Sequence, residues 1–420
     1  MISLNLEKIL SNLKKIKYPF LDQIVFSGFN FLLGLLIIRL FNLKIFGEFS
    51  YFWLIYLFIY TIQNSIILTP LISKYYFIPQ IKKKNYVSSI FLIQTFFCLI
   101  LFLILNFFYY QNYFFIEIIL YDKYIQSFTL TVCASQFYHF SRKLLYCEKK
   151  YKKIFFIDLI IYSLCICVLI FINYKFNIDL NNIFEILSLT YFLGFLFNFR
   201  FLLKIEYLPK NFKKIFKQNY DIGKWLTINA VVQWLSNNLW MVNTGIILGA
   251  TSLGVLRACQ SIIQVLNVIY QILENILPEK ITNKIKSNKS EIFIFVINFI
   301  KINIKYILLL TLLIILFSKI ILNVLFGEEI MNYYSALIIL SLSLPFIFLR
   351  YPINIAFKSL SETKYIFFSN LVPTIVTLIL SRYIIENFGF HASLFGILLN
   401  QILISSIMFG FFMNFLKIRI

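Results

Sequence analysis

The chain has 420 residues, of which 60% are hydrophobic and 19% aromatic, with mean hydropathy +0.83. No water-soluble domain hides that much apolar surface, so a soluble enzyme is excluded and a lipid environment is implied. The formal net charge is +21, but the basic residues sit in short segments between apolar runs, which speaks for membrane topology and against nucleic-acid binding.

A membrane-spanning helix needs about twenty mostly apolar residues. Such runs cover residues 20–41, 47–69, 87–110, 118–141, 154–174, 183–204, 223–247, 252–275, 302–325, 333–356, 365–385 and 391–415. The first follows Lys14, Lys15 and Lys17, is too long for the core of a cleavable signal and precedes no small-x-small site, so it reads as a retained helix. The fourth and seventh runs are the least apolar, and 287–303 reads as an amphipathic lead-in to the ninth. Pro345 and Pro352 bracket Arg350 in the tenth and predict a kink. The expected fold class is all-α: a polytopic membrane protein of about 12 transmembrane helices, in two six-helix bundles related by pseudo-two-fold symmetry around a central cavity.

The connections carry a sharp charge asymmetry. On one side lie Lys82, Lys83 and Lys84, then Arg142, Lys143, Lys149, Lys150, Lys152 and Lys153, then the lysine-rich stretch before the seventh run. The other side holds few basic residues: Arg39, Lys44, Lys123, Lys175 and Arg382. The positive-inside rule then places both termini in the cytoplasm, which fits a bacterial inner membrane. The longest polar connection divides the chain into an N-terminal bundle (1–205), a cytoplasmic linker (206–222) and a C-terminal bundle (223–420). The halves echo each other. Gly47 and Gly254 each open the second span of their half, and Glu148-Lys-Lys-Tyr151 recurs as Glu362-Thr-Lys-Tyr365. Parallel repeats of this kind are a known transporter plan.

Polar side chains within spans are costly, so their placement is informative. They form stripes spaced by three and four on four helices. The seventh carries Asn229, Gln233, Asn237 and Trp240; the eighth Arg257, Ser261, Gln264, Asn267, Gln271 and Asn275; the first Gln23, Ser27 and Asn30; the second Tyr60 and Asn64. Two readings stand. Amides, hydroxyls and aromatic rings suit a hydrated cavity that binds sugar; the same groups also serve as interhelical glue. Arg257 and Arg350 are candidate cations for a pyrophosphate, against snorkelling to the nearer interface. Asp22 and Asp158 are weak ion-coupling candidates or interfacial residues, and His139 a proton relay or a structural histidine. Arg39, Lys319 and Arg382 read as snorkelling, and the unstriped third and ninth helices as lipid-facing. The six cysteines have no zinc or disulfide spacing. No catalytic motif appears, so neither an enzyme nor a cofactor nor a metal site is expected.

The ordered motifs resemble a family. Arg39-Leu-Phe-Asn-Leu-Lys-Ile-Phe-Gly47-Glu-Phe-Ser, Leu248-Gly-Ala-Thr-Ser-Leu-Gly254-Val-Leu-Arg-Ala-Cys, Leu325-Phe-Gly327, Ser361-Glu-Thr-Lys364 and Asn387-Phe-Gly389-Phe-His-Ala-Ser-Leu resemble, along the whole chain, the polysaccharide (O-antigen, Wzx-type) flippases of the multidrug/oligosaccharidyl-lipid/polysaccharide exporter superfamily. The resemblance implies alternating access and an undecaprenyl-pyrophosphate-linked oligosaccharide moved to the periplasmic leaflet. It implies as partners that lipid-linked substrate, membrane lipid, a polysaccharide polymerase and a chain-length regulator. One family feature is missing: an Asp ahead of Leu-Gly at the end of the seventh helix, where this chain has Val242-Asn-Thr-Gly-Ile-Ile-Leu-Gly. The rival expectations are a multidrug antiporter of the same fold and a membrane polymerase or glycosyltransferase.

Overall fold

A computed structural model describes residues 6–110, 122–176, 179–198, 209–265, 277, 281, 289–360 and 362–417. Among these the chain is helical throughout, broken by short turns and without a strand. Helix α1 is Leu6–Leu40 and α2 is Leu43–Gln63; α2 runs through a π-helical turn, Asn64–Leu68, into α3, Thr69–Tyr75. Pro70 causes the slip. It has no N–H to return to the preceding turn, and the Thr69 N–H bonds the Asn64 carbonyl five residues back. Then come α4 (Gln80–Tyr110), α5 (Asp122–Cys147), α6 (Tyr151–Lys175), α7 (Leu180–Phe197) and α8 (Phe212–Val265). The remainder is α9 (Lys289–Leu316), α10 (Ser318–Phe326), α11 (Glu328–Met331), α12 (Tyr334–Ser341), α13 (Leu344–Ser359) and α14 (Thr363–Lys417).

Among the described residues 9 helices are long and apolar enough to cross a membrane. Two of them, α8 and α14, each hold two spans, divided at Gly249 (φ +85°) and Gly389 (φ +69°). A side chain is strained at such angles, so glycine ends one span and begins the next with almost no loop. The helix missing from the nine is α5, the fourth expected span. It is less apolar than the others because Ser127, Thr129, Thr131, Ser135, Gln136, His139 and Ser141 run along it, every one buried. Wrapped by other helices, its hydroxyls bond backbone carbonyls and His139 bonds Tyr56, so these groups are satisfied internally instead of in water. Twelve spans thus follow from the expected runs, and the all-α polytopic architecture is what the structure has.

Four local details sharpen the expectation. The ninth span and its lead-in are one helix, α9, and the break falls later, at Phe317 before α10. The tenth span breaks at Leu342–Ser343, ahead of Pro345, and α13 then runs on through Pro352. The polar stretch before the seventh span is helical from Phe212. Arg39 is exposed, and its guanidinium bonds the carbonyls of Asn323 (3.3 Å), Val324 and Leu325 (2.9 Å) at the C-terminal end of α10. The lipid-facing reading of the third and ninth helices fits their exposure, since α4 and α9 have only 22% of their apolar windows buried.

The chain forms two compact units, residues 1–33 with 55–230 and residues 34–54 with 231–420. In the first, α5 packs along α7 and is flanked by α4 and α6. A buried cluster joins Ile67, Leu68 and Leu71 to Ile90 on α4 and to Phe140 and Leu144 on α5. At the far end of α5, Lys123 pairs with Asp179 (2.6 Å), whose side chain also caps α7 through the Asn182 N–H. Partial burial pushes the Asp179 carboxyl up, but Lys123 and the backbone N–H groups outweigh it and hold the group below its ordinary value. In the second unit, the hairpin of residues 34–54 seats on the turn at Gly249. A Cβ on Gly254 would stand 2.8 Å from the Leu43 carbonyl oxygen and 3.3 Å from the Gly47 nitrogen, so the two glycines of the sequence echo pack together.

Candidate functional site

The first unit holds a buried charge cluster built on about the last three turns of α5. Tyr138, His139, Arg142 and Tyr146 follow at helical spacing, and together they meet α1, α2 and α6. The Arg142 guanidinium lies 2.5 Å from an Asp22 oxygen on α1 and 2.6 Å from an Asp158 oxygen on α6. Tyr146 donates to Asp22 and Tyr138 donates to Asp158. The Phe26 ring lies 4.8 Å beneath the guanidinium, a contact that favours a desolvated cation. His139 Nε2 hydrogen-bonds the Tyr56 hydroxyl at 2.8 Å, and the Tyr60 ring lies 4.5 Å from the imidazole. Exposures of 0% for Asp22, 1% for Asp158, 2% for His139 and 6% for Arg142 show that the cluster is buried within the helices.

Packing admits the cluster. A Cβ on Gly194 of α7 would stand 2.5 Å from the Tyr138 ring, so only glycine leaves room for that ring to reach Asp158. Next to the cluster, Gln63 ends α2 where the π turn begins. Its amide donates to the Gln94 side chain (2.8 Å) and to the Gln136 carbonyl (2.7 Å), which ties α2 to α4 and α5. All three glutamines are fully buried. The arrangement sets two carboxylates against one guanidinium, beside a hydrogen-bonded imidazole–phenol pair, a set suited to taking up one further positive charge.

The remaining predicted residues are more dispersed. Asn30 is half-buried and donates to the Phe26 carbonyl of its own helix (3.0 Å). Asn64 opens the π turn. On α8, Asn229 falls in the first unit and Gln233 onwards in the second. Gln233 is exposed, and Asn237 bonds both the Gln233 carbonyl (2.7 Å) and Gln401 on α14 (3.4 Å). Trp240 is buried against Gly396 of α14, where a Cβ would stand 2.5 Å from the indole. Asn243 donates to Ser381 (2.5 Å), also on α14. Arg257 is half-buried and donates to Gln260 (3.1 Å), Gln264 is exposed and Arg350 is half-buried. Asn267, Gln271 and Asn275 lie outside the described residues. No group of three or more metal-binding side chains occurs among the described residues.

Sequence reasoning missed Arg142, which counted as a loop charge, and its partners Tyr138 and Tyr146. The signal was present: Tyr138, Arg142 and Tyr146 recur every four residues, and the fourth span has polar groups on every side instead of one stripe.

Solved structures share this fold. The lipid II flippase MurJ, in an inward closed conformation, matches with TM-score 0.74 over 94% of this chain and 86% of that one, at 14% identity. An inward-facing multidrug resistance MATE family transporter of the MOP superfamily matches with TM-score 0.68 over 94% and 93%, at 12% identity. A Vibrio cholerae MATE transporter, VcmN, matches with TM-score 0.66 over 98% of both chains, at 15% identity. No family model and no curated protein matches the chain. The likeness is one of fold: that of multi-pass membrane transporters of the MOP superfamily, built from two helical bundles. Within it the structural neighbours divide between a lipid flippase and drug exporters.

Proposed function

We propose that the chain is a flippase that carries an undecaprenyl-pyrophosphate-linked oligosaccharide from the cytoplasmic to the periplasmic leaflet of a bacterial inner membrane, by alternating access, for surface polysaccharide assembly. The observation that carries this reading is Arg257. It is a half-buried guanidinium on the polar face of α8 whose bonded partner is the neutral Gln260. A guanidinium at that depth is suited to an anionic headgroup, and its fork matches phosphate oxygens. The match in fold to a lipid II flippase supports it. Gln233, Gln264 and Asn229 then offer amides to sugar hydroxyls, Arg350 a second cation, and Trp240 holds the polar face of α8 against Gly396. The two halves 1–205 and 223–420 would be the alternating bodies, with 206–222 between them on the cytoplasmic side. Asp22, Asp158 and His139 would be the coupling groups, with Arg142 as a tethered counter-ion.

A second reading, an ion-coupled antiporter for small molecules, is favoured by the buried acid pair and by the likeness to MATE transporters. A deletion in the native host separates the two. The flippase reading expects lipid-linked oligosaccharide to accumulate inside the cell, restored by the wild-type gene and not by Arg257→Ala. Unchanged lipid-linked pools with raised drug sensitivity would favour the antiporter instead.

A further inference from the structure

One end of the first unit gathers lysines from three segments that lie side by side. Tyr76, after α3, donates to the Tyr146 carbonyl near the end of α5 (3.5 Å), and Lys149 stands 5.8 Å over its ring. Asn85 on α4 donates to the Lys210 carbonyl just before α8 (2.7 Å), and Tyr86 donates to Asn219 within α8 (3.1 Å). Residues 76–84, 148–153 and 210–224 therefore make one continuous surface. It holds twelve lysines against two carboxylates, Glu148 and Asp221. Both acids are already paired, with Lys150 at 2.5 Å and Lys224 at 3.3 Å. At the α5–α6 turn an open hollow of about 450 Å³ is lined by Lys149, Lys150, Lys152 and Lys153 with the rings of Tyr151 and Phe156.

The same surface is apolar between its charges. The start of α8 turns Ile215, Asn219 and Gly223 inward, at a spacing of four; a Cβ on Gly223 would stand 3.0 Å from the Ile66 Cα. A neighbouring stripe, Phe212, Phe216 and Tyr220, forms a ring ladder with centroid distances of 6.3 and 6.2 Å. Tyr220 is 51% exposed, Trp225 69%, Phe77 87% and Ile81 94%. Water-facing surface avoids such side chains, whereas lysine beside exposed aromatic and aliphatic groups is the composition of a membrane boundary. Lysine supplies a point charge, not a fork, and the surface is broad and open. It therefore suits several phosphodiester headgroups side by side better than one enclosed diphosphate.

We propose that this surface docks anionic phospholipid, with the lysines on headgroup phosphates and Phe77, Ile81 and the α8 ring ladder at the acyl boundary. It rests on the membrane reading of the fold and not on the identity of the transported molecule. The test uses the full chain in detergent, titrated with dibrominated phosphatidylglycerol or dibrominated phosphatidylcholine. The Trp225 emission is taken as the difference between wild type and Trp225→Phe. The expected result is quenching by phosphatidylglycerol at roughly tenfold lower lipid concentration than by phosphatidylcholine, a preference that fades as salt rises above about 0.1 M. Combining Lys82→Gln, Lys152→Gln, Lys213→Gln and Lys217→Gln should abolish the preference, while the matching Lys→Arg set, which keeps the charge, should retain it. Absence of any preference in the wild type, or its survival in the Gln set, overturns the proposal. Farnesyl diphosphate is the competitor that tells the sources apart. If it displaces phosphatidylglycerol, the surface belongs to a polyprenyl diphosphate headgroup and the proposal falls. No arm requires transport, so a failed flippase reading leaves the result intact.

Discussion

Gly47 lies directly against the backbone of Ala250: a methyl group built on its Cα would sit 1.8 Å from the Ala250 carbonyl oxygen. No rotamer change relieves such a clash, because both sides are main chain. The hairpin of residues 34–54 is therefore seated on the Gly249 turn by backbone contact, a fit that only glycine allows.

Gly47→Ala is expected to lower the thermal stability of the purified protein by about 1–3 kcal/mol, the usual cost of forcing extra volume into a packed contact. Gly254→Ala should act in the same direction and less strongly, because its nearest neighbours stand at 2.8 and 3.0 Å and one of them is the movable Leu43 side chain. A melting temperature unchanged in Gly47→Ala would show that the hairpin sits elsewhere in solution.

Arg142 binds two carboxylates on two other helices, so its loss differs from theirs. Arg142→Leu leaves Asp22 and Asp158 buried beside each other without a cation, a change that costs about 3–5 kcal/mol. Replacing all three charges together, with Asp22→Asn and Asp158→Asn added, should recover much of that loss. Equal destabilisation by the single and triple variants in thermal unfolding would dissolve the cluster as a unit.

Asn243 and Ser381 offer a direct measure of interhelical glue. A double-mutant cycle with Asn243→Ala and Ser381→Ala should give a coupling of about 0.6–1.7 kcal/mol, the range for side-chain hydrogen bonds between membrane helices. A coupling near zero would show that this bond does not hold the two helices together.

Much of the fold is legible before any coordinates. Apolar runs of the right length mark the spans because lipid leaves a backbone little alternative to helix. The two loopless joins at Gly249 and Gly389 emerge only from the backbone angles, φ +85° and +69°, which are open to little but glycine. The charge cluster is not legible in the same way. Its partners are 120 residues apart for Arg142 and Asp22, and nothing local distinguishes an arginine that enters a core from one that marks a loop. The same limit applies to the stripe on α8. Periodicity places Asn237 and Trp240 on one face correctly, but it is silent on the neighbour that covers the face, here Gln401 and Gly396 of α14.

The glycine joins also decide where the chain tolerates foreign sequence. At Gly249 and Gly389 a single residue turns one span into the next, so an epitope tag or reporter inserted there has no slack to absorb it and would pull two helices out of register. Proteases and antibodies would find equally little purchase at these points. The turn at residues 148–153, by contrast, is exposed on either side of Lys149 and can lengthen without disturbing a span, which makes it the place to mount a label.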